Sequence, residues 1–496
     1  MNNPLLSLPF QPSLESLGDA YWDVVQTAEF PLTKLRFRND YLLKQLGIKS
    51  DSVKDIDFEE AYGLFKERIP LLALRYHGYQ FGTYNPFLGD GRGFLYGQLI
   101  DRDGKLQDLG TKGSGTTPWS RGGDGRLTLK GGLREIIASE ALHRLGVTTS
   151  RVLSLVETGE DLWRGDEPSP TRSSVMVRLA RTHLRFGSCE RLLYLKEPKL
   201  LEKLLRHVIE IYYPEVAITH PVSEQNPHDT REVQFLAFYE SLIRRVAKLV
   251  AEWMAAGFVH GVLNTDNMSL AGESFDYGPF AFLEHWDPDF TAAYFDQTGM
   301  YAFGRQPLTC YNNLRLLQEP LAMLLRREPM EERLDAFADI YKNHYQFCIN
   351  RRIGLSPNVK GVNNATLNAN RHDLLEKTLN LLATWPIPYG SFFSGLTEEI
   401  NKRGLPEEPD SLSPELFCEN SPPRANWLAW RDSWCSNQQL AQASDSEEIT
   451  AIPNRLNRWN ISETPIRSKI ESLWLSIDEN DDWQPFQAWL RTICLD

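Results

Sequence analysis

The chain has 496 residues, and its 53 Lys and Arg against 66 Asp and Glu give a formal net charge of −13 and a pI near 5.4. That balance argues against a nonspecific nucleic-acid binder or a protein held on anionic membranes. With 42% hydrophobic residues the chain is long enough for two lobes and an additional helical region rather than one simple core. The first ten residues, Met1 to Phe10, carry no basic segment and no long apolar core, and no later window resembles a membrane span, so a cytoplasmic protein is expected. The cysteines at 189, 310, 348, 418, 435 and 494 contain no Cys-x-x-Cys pair, which indicates neither a zinc site nor a disulfide framework.

The first half has the texture of a sheet with phosphate-handling loops. Glycines cluster at Gly89, Gly91, Gly93 and Gly97, at Gly110, Gly113 and Gly115, and at Gly122, Gly123 and Gly125, between short apolar stretches such as Phe94-Leu95-Tyr96 and Leu127-Thr128-Leu129. Glycine lets backbone amides come close to phosphate oxygens, although each cluster taken singly reads as a hairpin turn. Lys112 shifts that balance. It follows Leu109-Gly110-Thr111, and past the next glycine cluster a helix is predicted from Leu133 to a stop at Gly146, carrying Glu135 and Glu140. A strand lysine paired with a helix glutamate is how kinase-like folds fix a cation against nucleotide phosphates. The two glutamates, five positions apart, point about 140° away from each other, so at most one can be that partner; a surface salt bridge is expected for the other. Ser174 to Ala180 reads as a buried strand. Arg178 and Arg185, near the expected lobe junction, suit either forks onto phosphate oxygens or ion pairs bridging the lobes, and spacing does not choose between them.

Arg231 to Ala256 is a helical run with one broad apolar stripe, ended by Gly257, and it leads into His260-Gly261-Val262-Leu263-Asn264-Thr265-Asp266-Asn267. Nine residues after Asn267 comes Asp276-Tyr277-Gly278. In protein kinases a His-Arg-Asp-x-x-x-x-Asn loop precedes Asp-Phe-Gly, and the Asn and second Asp hold magnesium against the phosphates. Here that Asn and Asp are present, but the position of the catalytic Asp holds Val262, which can accept no proton. Alone, the histidine reads as structural and Asp-Tyr-Gly as a turn; together they are much less expected by chance. Further helices are predicted over 314–327 (interrupted at Pro320), 331–350 and 368–385. Exposed connections follow at Gly404 to Asp410 and Ser421-Pro422-Pro423, before a tryptophan-rich tail.

Several long stretches resemble the selenoprotein O family, called YdiU in bacteria. They are Lys112-Gly113-Ser114-Gly115-Thr116-Thr117-Pro118-Trp119-Ser120-Arg121, Gly123-Asp124-Gly125-Arg126, Arg134 to Ala141, Arg185-Phe186-Gly187, His260 to Ser269 and Asp276-Tyr277-Gly278-Pro279-Phe280, and the resemblance covers roughly 30–320. It implies an α+β, protein-kinase-like two-lobed fold that transfers AMP from ATP to Ser, Thr or Tyr hydroxyls of proteins. The corresponding division is 1–60 an N-terminal extension, 61–187 a sheet-containing N-lobe, 188–400 a helical C-lobe and 401–496 a C-terminal helical extension. By the same resemblance Lys112 contacts phosphate with Glu135 as its partner, and Gly89, Gly91, Arg92, Asp124 and Gly125 line the nucleotide. Arg178 and Arg185 hold the terminal phosphates of an inverted ATP, Asp266 accepts the proton, and Asn267 and Asp276 hold Mg2+ or Mn2+. Asp266 is also the carboxylate nearest the position that Val262 leaves empty. Cys494 matches the family's residue third from the end, whereas Ala292 stands where bacterial relatives carry a cysteine and no Asn-Pro-x-x-x-Leu-Arg-Asn motif is found, so an internal disulfide is not expected. The expected partners are ATP and protein substrates, with no nucleic acid and no membrane. UMP transfer from UTP, an ordinary phosphotransferase and a silent nucleotide-binding scaffold are the competing readings.

Overall fold

The computed structural model describes residues 3–494 apart from 166, 357–363, 416, 419 and 445–447. Its N-terminal region is built on an antiparallel sheet from β1 (Trp22–Val25), β2 (Lys34–Arg38), β3 (Leu71–Leu74), β6 (Leu95–Ile100), β7 (Leu106–Lys112), β9 (Arg151–Leu162) and β10 (Thr171–Ala180), in the order β1-β3-β6-β7-β10-β9-β2. A short β8 (Leu127–Thr128) also pairs with β10, and β4 (Gly78–Gln80) and β5 (Thr83–Asn85) form a separate hairpin. Both faces of the sheet are covered, so β9 and β10 are buried along most of their length even at polar positions such as Ser154, Ser173 and Ser174. Leu153, Val175, Val177 and Leu179 pack on one side against Leu42, Phe58 and Tyr62 from α1 (Asp40–Gln45), α2 (Asp55–Phe58) and the turn that follows. Val152, Leu155 and Met176 pack on the other side against Leu133, Ile136 and Ile137 of α3 (Leu129–Arg144).

The remainder is helical: α4 (Phe186–Tyr194), α5 (Pro198–Tyr212), α6 (Pro214–Thr219), α7 (Pro227–Ala256), α8 (Gln306–Leu321), α9 (Arg327–Leu334), α10 (Phe337–Arg352), α11 (Asn364–Thr384), α12 (Tyr389–Arg403), α13 (Arg424–Ser444), α14 (Glu448–Trp459), α15 (Arg467–Asn480) and α16 (Gln484–Ile493). A two-stranded ladder, β11 (Phe258–Val259) with β12 (Ala281–Phe282), brackets the loop after α7. The protein is therefore mixed, with a sheet-based N-terminal region and a helical C-terminal part. No helix among the described residues is long and apolar enough to cross a membrane.

Several expected boundaries are displaced. Helix α3 begins at Leu129, four residues before Leu133, because the Thr128 hydroxyl accepts the Gly131 amide at 3.0 Å and caps it there. Helix α8 starts at Gln306 and ends one residue past Pro320, so the proline occupies the last turn, where it ends the helix rather than interrupting it. The single helix expected over 331–350 is divided between α9 and α10, and the break lets both Leu334 and Phe337 reach the core, at 2% and 3% exposure. The tail does not stand apart. Helices α15 and α16 lie on the outer side of α3, their Leu473, Trp474, Phe486 and Trp489 joining its core. Asp481 after α15 pairs with Arg36 at 2.9 Å and with Arg172 of β10 at 2.8 Å, and Lys130 of α3 pairs with Glu471 at 2.7 Å.

Candidate active site

Strand pairing sets the first part of the site. Lys112 lies opposite Met176 in the β7–β10 ladder, so Arg178, two residues further along β10, projects from the same face. Helix α3 brings Glu135 beneath that face and the Asp276 turn closes over it. Lys112 Nζ donates to Glu135 Oε1 and, at 2.6 Å, to Asp276 Oδ1. Arg178 Nη1 reaches Asp276 at 3.3 Å and Glu135 at 3.9 Å, so two cations and two carboxylates form one cluster. Desolvation raises the Asp276 pKa, but Lys112, Arg178 and Arg185 overcome it and hold this carboxyl well below the usual carboxylate range. Glu140, expected on the surface, is instead buried at 3% exposure, where it pairs with Arg151 and accepts from Asn39 at 3.1 Å. An isolated carboxylate there would be costly, so the helix face opposite Glu135 carries its own cation.

The loop after α7 is held from all sides. Gly257 ends the helix in the left-handed conformation at φ +67°. His260 is a structural residue, its ring Nε2 lying 3.1 Å from the Phe275 carbonyl and its amide donating to Gln306 Oε1 at 3.0 Å. Asn267 Nδ2 donates to the Val262 carbonyl at 2.9 Å. That bond leaves the Asn267 carboxamide oxygen as its remaining acceptor. The β4–β5 hairpin caps the turn: the Tyr79 amide donates to Thr265 Oγ1 at 2.7 Å, and that hydroxyl donates to Glu190 Oε2 of α4 at 2.8 Å. Burial, reinforced by nearby Asp266, pushes Glu190 up to about 8 against the Thr265 hydrogen bond. Arg185, buried at 3% exposure, holds the Asp266 carbonyl at 3.0 Å and lies 3.5 Å from Asp90. Among the described residues Asp266 Oδ1 itself is buried without a hydrogen-bond partner, and desolvation lifts this carboxyl to about 6 although Arg185 opposes the shift.

Between these elements lies a cavity of about 680 Å3. Of the residues singled out from the sequence, Gly89, Gly91, Arg92, Lys112, Asp124, Gly125, Arg178, Arg185, Asp266 and Asp276 line it, whereas Asn267 does not. Packing by itself demands glycine at positions 89, 91 and 125, most tightly at the first and last. A Cβ on Gly89 would lie 2.3 Å from the Trp119 ring, and Gly125, at φ +70°, would place one 2.3 Å from the Gly115 carbonyl carbon. Asp124 is engaged at the mouth by Arg164 at 2.8 Å. Three residues that sequence reasoning passed over belong to this neighbourhood. Asp90 was visible as the lone carboxylate inside the first glycine cluster. His183, which packs on Gly110 and lies 3.2 Å from Asp108, and Glu190 carried no local signal.

The donors around the cavity suit a hard divalent cation. Asp276, which lines the cavity, is ionised, and Asn267, which does not line it, keeps its amide oxygen as an acceptor, oxygen donors of the kind Mg2+ or Mn2+ takes.

Comparison with known proteins gives a consistent answer. The profile of the family described as "Protein adenylyltransferase SelO" matches residues 4–494. A protein of Trichodesmium erythraeum named "Protein nucleotidyltransferase YdiU" is 50% identical over 493 residues, covering 99% of this chain and 100% of that protein. A Synechocystis protein of the same name is 50% identical over 487 residues, 98% of each chain. One from Pseudomonas putida (strain GB-1) is 35% identical over 395 residues, 79% of this chain and 76% of that protein. The likeness thus runs the length of the chain rather than stopping near residue 320.

Proposed function

The chain belongs to the SelO family of protein adenylyltransferases and is an enzyme of the nucleotidyltransferase class, and from that premise we propose that it transfers AMP from ATP to Ser, Thr or Tyr hydroxyls of proteins, within a protein-kinase-like two-lobed frame. One observation carries the proposal: an unpartnered carboxylate oxygen, Asp266 Oδ1, lies buried in the loop whose usual base position is the apolar Val262, and Asp266 lines the same cavity as the Lys112, Arg178, Asp276 charge cluster.

Lys112, Arg178 and Arg185 bind and orient the phosphate chain so that its α-phosphorus faces the acceptor. Arg178 and Arg185 hold the far end, where forked guanidinium groups fit phosphate oxygens. Glu135 keeps Lys112 in place. Asp266 Oδ1 takes the proton of the acceptor hydroxyl as its oxygen bonds to the α-phosphorus; the bond to the bridging oxygen breaks and pyrophosphate leaves. Mg2+ or Mn2+, held by Asn267 and Asp276, supplies charge neutralisation on the phosphates when bound. Positioning and charge stabilisation provide most of the acceleration in such a step, which suits a site with one base and several fixed cations.

The test is the fate of label. ATP labelled at the α-phosphate is expected to mark the protein or added proteins, and ATP labelled at the γ-phosphate is not. Label arriving only from the γ-position would return the chain to ordinary kinase chemistry, no label from either would favour a silent scaffold, and stronger labelling from α-labelled UTP would make it a uridylyltransferase.

A further inference from the structure

A second cavity, of about 440 Å3, opens at the C-terminal end of α3 and shares no lining residue with the first. Its cations are Arg144, Arg151 and Arg458, and its apolar wall includes Tyr41, Val147 and Ile493. The three guanidinium groups are not equivalent. Arg151 is already neutralised by the buried Glu140 and lies over the Tyr41 ring at 5.1 Å. Among the described residues Arg144 spends only Nη2, on the Asn457 carbonyl, while its Nε and Nη1 are buried with no hydrogen-bond partner. Arg458 is exposed and rests on the Trp459 ring at 5.3 Å. Among the described residues neither Arg144 nor Arg458 has a carboxylate partner. The negative end of α3 does not provide one, because the amides of Leu145, Gly146 and Val147 fold back onto the carbonyls of Ala141, His143 and Leu142.

Buried guanidinium donors without acceptors are costly, and two neighbouring like charges raise the cost further. The local field shows it. Desolvation and then the Arg458 charge lower Arg144 to about 10, and desolvation followed by the fields of Arg151, Arg458 and Arg144 pushes the His143 imidazole down to about 3. A ligand of two negative charges with tetrahedral oxygens offsets the repulsion between the Arg144 and Arg458 guanidinium groups that line the cavity, and arginine pairs are suited to such oxygens.

We propose that this cavity is a binding site for a small phosphate monoester, its oxygens held by Arg144 and Arg458 and its organic part against Tyr41, Val147 and Ile493. The site is independent of the nucleotide chemistry proposed above. It stands at one end of the helix that carries Glu135.

Titration calorimetry with phenyl phosphate and with inorganic phosphate tests this directly. Phenyl phosphate is expected to bind the intact protein, and Arg144→Gln with Arg458→Gln together to weaken it by roughly tenfold or more, the effect of losing hydrogen bonds to charged groups. Any binding in the other cavity contributes equally to both proteins and cancels. Arg458→Gln alone, an exposed change that leaves the fold in place, is expected to weaken binding several-fold, and inorganic phosphate to bind more weakly than the phenyl ester. Equal affinity in the intact protein and the double variant overturns the proposal. So does binding that appears only after Leu495 and Asp496 are deleted, which would assign the guanidinium groups to the chain's own residues.

Discussion

Replacing Lys112 with Met separates the charge cluster's structural role from its chemical one. The cluster holds Lys112 and Arg178 against Glu135 and Asp276, two positive and two negative charges, with Lys112 and Glu135 at 6% and 2% exposure. Removing the lysine leaves one uncompensated negative charge. Breaking a buried pair in this way costs about 3–5 kcal/mol, and Arg178 remains near both carboxylates, so the low end, about 3 kcal/mol, is expected. At roughly 2.1 cal/mol/K per residue, 496 residues give an unfolding entropy of about 1 kcal/mol/K, and the Tm should fall by about 3 °C. Glu135→Gln alone leaves one excess positive charge and should fall similarly. The double change, Lys112→Met with Glu135→Gln, restores neutrality and is expected to recover at least half of the loss while transfer from ATP stays abolished. Differential scanning calorimetry of the four proteins, with α-labelled ATP as the activity assay, reads both quantities. A double variant no more stable than Lys112→Met would refute the electrostatic account, and a double variant active in transfer would refute the phosphate-contacting role of Lys112.

Three further outcomes are expected. Asp276→Ala should abolish transfer and weaken metal-dependent nucleotide binding, measured by calorimetry with and without chelator; full activity would remove Asp276 from the metal set. Asp266→Asn should lower turnover by about 100- to 10,000-fold with ATP affinity near normal, the signature of a lost general base, whereas a parallel loss of affinity would mark a structural role. Glu190, with its folded pKa raised from 4.5 to about 8, contributes stability that is present below the lower value and lost as pH rises through the upper one. Urea midpoints of the intact protein should therefore decline between pH 5 and 8 more steeply than those of Glu190→Gln, and identical slopes would show that Glu190 does not titrate there.

The sequence made the polar half of the site legible and little of what supports it. Lys112, Asn267 and Asp276 stand out because loops that handle phosphate need glycine, lysine and carboxylate at short, recognisable spacings. Glu135 could be told from Glu140 only by the family resemblance, since helical geometry says that they diverge and not which one faces the strand. The burial of Glu140 depended on Arg151 and Asn39, eleven and 101 residues away in sequence. Glu190 was silent for the same reason: its partner Thr265 is 75 residues further on. Helix ends moved where a local rule was outvoted by capping, as at Thr128, or by the need to bury two residues at once, as at Leu334 and Phe337.

The cover that α15 and α16 place on α3 bears on how the protein is made. Lys130 at the head of α3 and Glu471 on α15 are 341 residues apart. At a synthesis rate of about 5–20 residues per second, roughly 17 to 70 s separate the appearance of the helix from that of its lid. Throughout that interval a nascent chain already contains Lys112 and Glu135, but the outer side of α3, the helix that carries Glu135, has nothing to rest on. Its later partners, Trp474, Phe486 and Trp489, arrive last and bring the apolar surface that completes it. Translation that stops short of α15 thus yields a product whose α3 presents a bare hydrophobic face, a species for chaperones and proteases.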